Sequence, residues 1–358
     1  MSLTKKETVL ITGATGTLGR RIVEEVLKSH SVGKIILLVR GETNKAAGER
    51  VSAFIKSSRS KVFDVFASDV TKKDLGLNSE VYNKLSKEVT SIFHCAATVR
   101  FSAALEEARL VNYQGNANLL EFANNCRNLS KFGHVSTAFV AGKRKGVIYE
   151  DELEHNEGFI NPYERSKYEA EILVRENITS LPINIYRPTV LLDNESRNAV
   201  NYMFKLFWDE SLPIIPGDKK GNVDLISVDY CAFALWRIFD KHFSEGKTYH
   251  IASGPAYSYS LGELVEKVAY HFSKRKKLTT PKIINLNEFQ TLLLKKLSTT
   301  KIGVFKKLNT FATQLLYPKI FNNTSLQELG DKELLPKHVG TYFDQYLEDF
   351  LERKALDD

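Results

Sequence analysis

Short runs of β-branched and aliphatic residues alternate with longer amphipathic stretches: TVLIT at 8–12, KIILLV at 34–39, KVFDVFA at 61–67, TSIFH at 90–94, FGHVST at 132–137, INIY at 183–186 and TYHIA at 248–252. Runs of that length read as buried strands, and strands separated by helix-length segments are joined in parallel by crossovers. The rhythm predicts an α/β fold built on a doubly wound parallel sheet. The first helix is marked by Ile22, Val23, Val26 and Leu27 at helical spacing, with Arg20, Arg21, Glu24 and Glu25 on the other face, so one face packs on the sheet.

Between Leu191 and Asn222 the alternation breaks into the aromatic NYMFKLFW and the turn-rich PIIPGDKKGN, an excursion out of the sheet. From about Ala256 the pattern is mainly helical, as in SLGELVEKVAYHF and VGTYFDQYLEDFLERK. The expected division is a nucleotide-binding domain from 1–190 with 223–255, and a smaller, mostly helical C-terminal substrate domain from 191–222 with 256–358.

A chain of 358 residues with 43% hydrophobic content buries a sizeable core. Cys95, Cys126 and Cys231 stand at wide spacings that suit neither a disulfide framework nor metal-ligand pairs, which points to a reducing cytoplasm and no metal. No signal-like N-terminal stretch or membrane-length apolar run is present, so no transmembrane span is expected. The formal charge of +7 is uneven: from His271 to Ile320 eleven Lys or Arg face the single acid Glu288. Such a block either attracts an anionic partner or is a solvated charged face. No nucleic-acid partner is expected, and oligomeric state is left open.

The segment TGATGTLG places Gly13, Gly16 and Gly19 after a predicted strand and at the start of a predicted helix. Backbone amides of such a turn, with Thr15, Thr17 and Leu18 between the glycines, receive a pyrophosphate, as in a Rossmann sheet. The second strand ends in Arg40 where an acid would hold the ribose hydroxyls. A guanidinium there suits the 2′-phosphate of NADP(H). Asp69 and Val70 after the third strand are adenine contacts or a helix cap. Ala96 and Ala97 after the fourth are small enough for close approach of a cofactor.

Tyr163 and Lys167 stand one helical turn apart in NPYERSK, and Thr137 ends a predicted strand 26 residues earlier. A phenol ionises near ~10, so as a proton donor at neutral pH it works better beside a cation. Thr137, with Ser136 in reserve, would hydrogen-bond the substrate oxygen, and Asn112 would brace a water relay to the lysine or cap its helix. Tyr270 and Lys274 repeat the spacing without a Ser/Thr strand before them and are read as a decoy. His94 and His134 are read as core or edge residues.

With these residues the chain resembles the extended short-chain dehydrogenase/reductases, and among them the fatty acyl-CoA reductase and carrier-protein thioester reductase family, also called male-sterility-type proteins. The resemblance runs from about 8 to 240 through TGATGTLG, LLVR, IFHCAATVRF, NYQGNANLLEFA, HVSTAFVAG, YERSKYEAE, INIYRP and VDLISVDYCAFAL; AATVRF and VDLISVDY are the stretches that point to thioester reduction. It implies that Gly13, Gly16, Gly19 and Arg40 bind NADP, that Pro188 to Val190 meet the nicotinamide, and that Thr137, Tyr163 and Lys167 carry out reduction of an acyl thioester to an aldehyde or alcohol. The acyl donor it implies is acyl-CoA or acyl-carrier protein, with 271–320 facing coenzyme A phosphates, an acidic carrier or, peripherally, a membrane. Two other readings stay open: a sugar-nucleotide epimerase, dehydratase or ketone reductase using the same tyrosine and lysine, and a non-catalytic dinucleotide sensor.

Overall fold

All seven runs become strands of one parallel sheet: β1 (Glu7–Thr12), β2 (Val32–Arg40), β3 (Val62–Ser68), β4 (Ser91–His94), β5 (Lys131–Val135), β6 (Ile183–Pro188) and β7 (Thr248–Ile251). The computed structural model describes residues 6–55, 62–194, 199–286 and 313–357. Strand order is β7-β6-β5-β4-β1-β2-β3, with every ladder parallel. The helices of the sheet region are α1 (Thr17–Lys28), α2 (Asn44–Ile55), α3 (Ser79–Glu88), α4 (Leu105–Arg109), α5 (Gly115–Asn125) and α6 (Pro162–Glu176). Then follow α7 (Ala199–Trp208), α8 (Val228–Lys241), α9 (Leu261–Ser273), α10 (Thr324–Glu328) and α11 (Gly340–Asp357).

The sheet is buried on both faces because successive side chains of a strand point to opposite sides. Val9 and Ile11 of β1 pack with Ile22, Val23 and Val26 of α1, and α8 covers the same face through Leu235 and Phe239. Leu10 faces the other way, where Leu119, Phe122 and Val174 of α5 and α6 form a second core. Burying each aliphatic side chain contributes about 1.5–3 kcal/mol as an upper estimate.

A third core lies outside the sheet and joins both stretches read as the excursion and the helical C-terminal part: Phe204 and Phe207 of α7 meet Val268 and Phe272 of α9 and Phe343 and Leu347 of α11. Short ladders stitch the same segments together, Ile214–Pro216 parallel to Lys282–Ile284 and Asn222–Val223 antiparallel to Tyr259–Ser260. Leu326 and Leu334, which lie within 256–358, pack instead into the core of the sheet.

The predicted fifth strand ends two residues early, at Val135. Ser136 and Thr137 lie past it, and Thr137 becomes the N-cap of a one-turn helix at Ala138–Ala141. Among the described residues no helix is long and apolar enough to cross a membrane. Most of the basic stretch, residues 287–312, lies outside the described residues. Of the rest, Lys274 and Arg275 sit near Glu348, Lys276 lies over the Trp208 ring, and Lys319 is buried.

Candidate active site

Strand order reverses between β1 and β4, where two halves of the sheet diverge and a crevice opens beyond the carboxyl ends. A cavity of about 570 Å³ lies there. The turn after β1 forms its floor. Gly13 has φ +77°, and a Cβ on it would lie 2.6 Å from the Ala96 backbone nitrogen; a Cβ on Gly19 would lie 2.0 Å from the Gly13 carbonyl oxygen. These two glycines let α1 and the loop after β4 close on the turn, and Ala96 N donates to Thr12 Oγ1 at 3.3 Å to hold that loop. Gly16 is the N-cap of α1 and no side chain caps the helix, so its first amides face the cavity wall formed by Gly16, Thr17, Leu18 and Gly19. A pyrophosphate fits this cradle, and the residues present suit a dinucleotide cofactor.

Arg40 ends β2 and is exposed. Beside it stands Arg50 of α2, which the sequence reading passed over: its guanidinium donates to the Arg40 carbonyl and, through Nη2, to Thr15 Oγ1 at 3.3 Å. The signal was an arginine one helix after the glycine turn, but nothing in its spacing shows that α2 folds back to Thr15. Asp69 caps no helix but closes a turn: its Oδ1 accepts from Thr71 N at 3.0 Å and Thr71 Oγ1 at 2.7 Å, and the helical turn Lys73–Gly76 that follows has no side-chain cap. Val70 accepts from Asn118 Nδ2 at 2.7 Å. Ala97, Pro188 and Val190 line the cavity.

Across the cavity stands α6, whose start is fixed by Asn161, accepting from Glu164 N at 3.0 Å, and by Pro162 in the first turn. The helix therefore delivers Tyr163 and Lys167 to one face. Tyr163 is half-buried, open to the cavity and 5.5 Å from the Phe101 ring. Burial pushes its phenol up to about 12, and the Thr137 hydroxyl beside it offsets part of that rise. Lys167 is 1% exposed and its Nζ donates to the Val135 carbonyl at 2.7 Å. Burial lowers its ammonium to about 8, against Cys95 and Glu171, which favour the charge. Thr137 is buried, with Oγ1 accepting from Phe139 N at 3.3 Å and donating to the Pro188 carbonyl at 3.5 Å. Thr137, Tyr163 and Lys167 all line the one cavity.

Ser136, by contrast, is tied to Glu171 Oε2 at 2.6 Å, within a fully buried pair in which Arg187 Nη2 meets Glu171 Oε1 at 2.6 Å. Asn112 sits in a π-helical turn, Leu110–Gln114. Its amide accepts from Thr98 N at 2.8 Å and donates to the Thr98 carbonyl at 3.1 Å and Ser166 Oγ at 2.9 Å. It thus clamps the loop after β4 to the turn of α6 between Tyr163 and Lys167. Glu164 and Gln314 also reach the cavity wall and are hydrogen-bonded to each other, neither singled out from sequence. Burial pushes the Glu164 carboxyl up and the Lys319 ammonium nearby down.

Tyr270 is 63% exposed with Lys274 over its ring at 4.5 Å, far from this arrangement in character. His94 and His134 are buried on adjacent strands, their rings 5.7 Å apart, and His94 Nδ1 shares a 2.6 Å hydrogen bond with Thr12 Oγ1. Among the described residues no group of three or more His, Cys, Asp or Glu is placed to hold a metal ion.

Residues 11–235 match the male sterility protein family. The chain is 25% identical over 276 residues to the fatty acyl-CoA reductase wat of Drosophila melanogaster, an alignment covering 64% of this chain and 53% of that protein. It therefore spans about half the length of that relative. With the alcohol-forming fatty acyl-CoA reductase of Simmondsia chinensis it shares 25% identity over 349 residues, covering 74% of this chain and 70% of the relative. Its fold is that of the terminal R domain from the myxalamid PKS-NRPS biosynthetic pathway, with a TM-score of 0.78 at 24% identity, over 98% of this chain and 92% of that one. A nicotinamide-type cradle, a Tyr/Lys helix facing it and a family match across most of the sheet region converge: the chain belongs to the male sterility protein family of extended short-chain dehydrogenase/reductases, the family of the fatty acyl-CoA reductases.

Proposed function

We propose that the protein reduces acyl thioesters, carried on coenzyme A or a carrier protein, to the aldehyde with NADPH, and that a second reduction of the aldehyde yields the alcohol. The observation that carries this reading is the placement of Thr137 and Tyr163 in one cavity whose lining is mostly apolar, with Val99, Phe101, Val200 and Met203 beside fewer polar groups such as Glu164, Asp193 and Gln314. A sugar nucleotide would set part of its hydroxyls against the apolar share of this lining, at a cost in unpaired polar groups. Straight hydrocarbon chains lose nothing there.

When bound, the nicotinamide supplies a hydride to the thioester carbonyl carbon. Thr137 and the Tyr163 hydroxyl donate to the carbonyl oxygen as negative charge develops on it, and the Tyr163 proton passes to that oxygen to give a hemithioacetal. Its C–S bond then breaks, the hydroxyl proton returning to the tyrosinate as the sulfur takes a proton from solvent, and the aldehyde and the free thiol are left. The Lys167 ammonium lowers the cost of the tyrosinate left behind. Glu171, one turn further along α6, favours the charged form of that lysine. Asn112 keeps the β4 loop and α6 in register and so positions the pair. Arg40 and Arg50 receive the 2′-phosphate that distinguishes NADPH from NADH. A cytoplasmic setting, where acyl thioesters and NADPH meet, belongs to the same reading.

Incubating the purified protein with NADPH or NADH and a panel of acyl thioesters and nucleotide sugars, with mass analysis of the products, tests it. Aldehyde or alcohol formed from acyl thioesters with NADPH is the expected result. Conversion of a nucleotide sugar with no thioester turnover would refute it.

A further inference from the structure

Next to the main cavity lies a second one of about 60 Å³, walled by hydrocarbon side chains of several elements. Phe204 and Phe207 come from α7, Leu264, Val265 and Val268 from α9, Leu225 and Ile215 from short strands. Val200 and Met203 of α7 line both voids, so these two side chains are the partition between them. A void with no polar group in its lining forfeits packing energy and offers water no partner, which suits an apolar occupant. The partition includes a methionine, the residue that yields most readily to a neighbour because its chain is unbranched and rotatable. Met203 is itself half-buried, with room on the side of the main cavity.

We propose that Met203, with Val200, is the stop that sets acyl chain length: the hydrocarbon tail runs from the reacting centre at Thr137 and Tyr163 along the apolar wall and ends against Met203, which yields to let longer tails enter the second void. This rests on the thioester reading above and names a residue that sets its specificity. Two features favour a plain hydrocarbon over a peptidyl or polyhydroxylated acyl group. The second void has no polar group to satisfy an amide or hydroxyl, and its far wall is the aromatic core that ties α7, α9 and α11 together.

The test measures kcat/KM over a ladder of saturated straight-chain acyl-CoA esters lengthened by successive methylene groups. For the unaltered protein kcat/KM rises by about fourfold per methylene while the tail gains buried contacts, and levels off once the tail meets Met203. Met203→Ala moves the plateau to longer chains; Met203→Phe moves it to shorter ones. Val265→Phe, which fills the second void from α9 without touching the main cavity, lowers the ratio of long-chain to short-chain turnover and provides a second route should either Met203 variant fail to fold. A plateau at the same chain length in all folded variants overturns the assignment of the stop while leaving thioester reduction intact. Absence of turnover with every thioester by the unaltered protein overturns both readings, so the two failures are told apart.

Discussion

Tyr163 and Lys167 have opposite electrostatic problems with one cause. Burial disfavours charge on each, raising the phenol to about 12 and lowering the ammonium to about 8. Reduction needs the phenol as donor and the ammonium as its support, so activity requires Lys167 to keep its proton. kcat/KM is therefore expected to fall with increasing pH through a limb near 8, and a profile flat to about pH 10, the range of an unperturbed lysine, would remove Lys167 from this role. Stability moves the other way for this residue. Its folded value lies below its free value of 10.5, so the buried ammonium costs stability below pH 8 and that cost fades as pH rises toward 10.5. Loss of activity above pH 8 is thus not a sign of Lys167-driven unfolding. For the acid itself, Tyr163→Phe removes one oxygen and is expected to lower kcat by roughly a hundredfold to ten-thousandfold with the circular dichroism spectrum unchanged. Turnover within a few-fold of the parent protein would mean that another group delivers the proton. The positions of Tyr163, Lys167 and Thr137 in one cavity were legible from spacing and residue type. Those of Arg50, Glu164 and Gln314 were not, because each is brought to the site by the path of a distant segment.

At the scale of elements, close approach of α1 to β1 decides whether the cofactor cradle exists. Gly19 lies inside that contact, and a methyl group there would overlap the Gly13 carbonyl. Gly19→Ala is expected to destabilise the fold by about 1–3 kcal/mol and to weaken dinucleotide binding, read by chemical denaturation and by calorimetric titration with NADPH. Unchanged affinity and midpoint would show that the turn relaxes freely. The strands were plain in the sequence because aliphatic runs buried on both faces leave no alternative environment, and the helices were plain where a single face is apolar. The π-helical turn at Leu110–Gln114 was not visible, since no local propensity distinguishes it from an ordinary helix. Its register is set by Asn112 reaching Thr98 and Ser166, two contacts from different parts of the chain.

Across the whole molecule the sheet region and the helical region are held by separate cores, and beneath the active site runs a buried polar network that ties several elements to one another. Arg187 of β6 meets Glu171 of α6, which also holds Ser136, while the Arg187 Nη1 donates to the Glu150 carbonyl at 3.3 Å. The Glu150 carboxylate in turn accepts from His250 N and Ser325 N, both at 2.8 Å, linking β7 and α10. Burial pushes the Glu171 carboxyl up, and Arg187 and Ser136 more than offset it, holding the group below its usual range. A depressed carboxylate contributes stability above its unfolded-state value and loses it as pH falls through its folded value. Glu171→Ala leaves Arg187 buried and unpaired and is expected to cost about 3–5 kcal/mol in urea denaturation. A loss below about 1 kcal/mol would show that water enters and solvates the guanidinium.

The sequence by itself determined the parallel sheet, the dinucleotide turn and the Tyr/Lys helix, because periodicity and short-range spacing act within one or two turns of chain. Tertiary structure alone decided what surrounds them: that Ser136 is held by Glu171 while Thr137 meets Tyr163, that Arg50 returns to Thr15, and that α7 divides two voids with Met203. Those outcomes depend on contacts between residues far apart in the chain, whose geometry is set only when the cores pack.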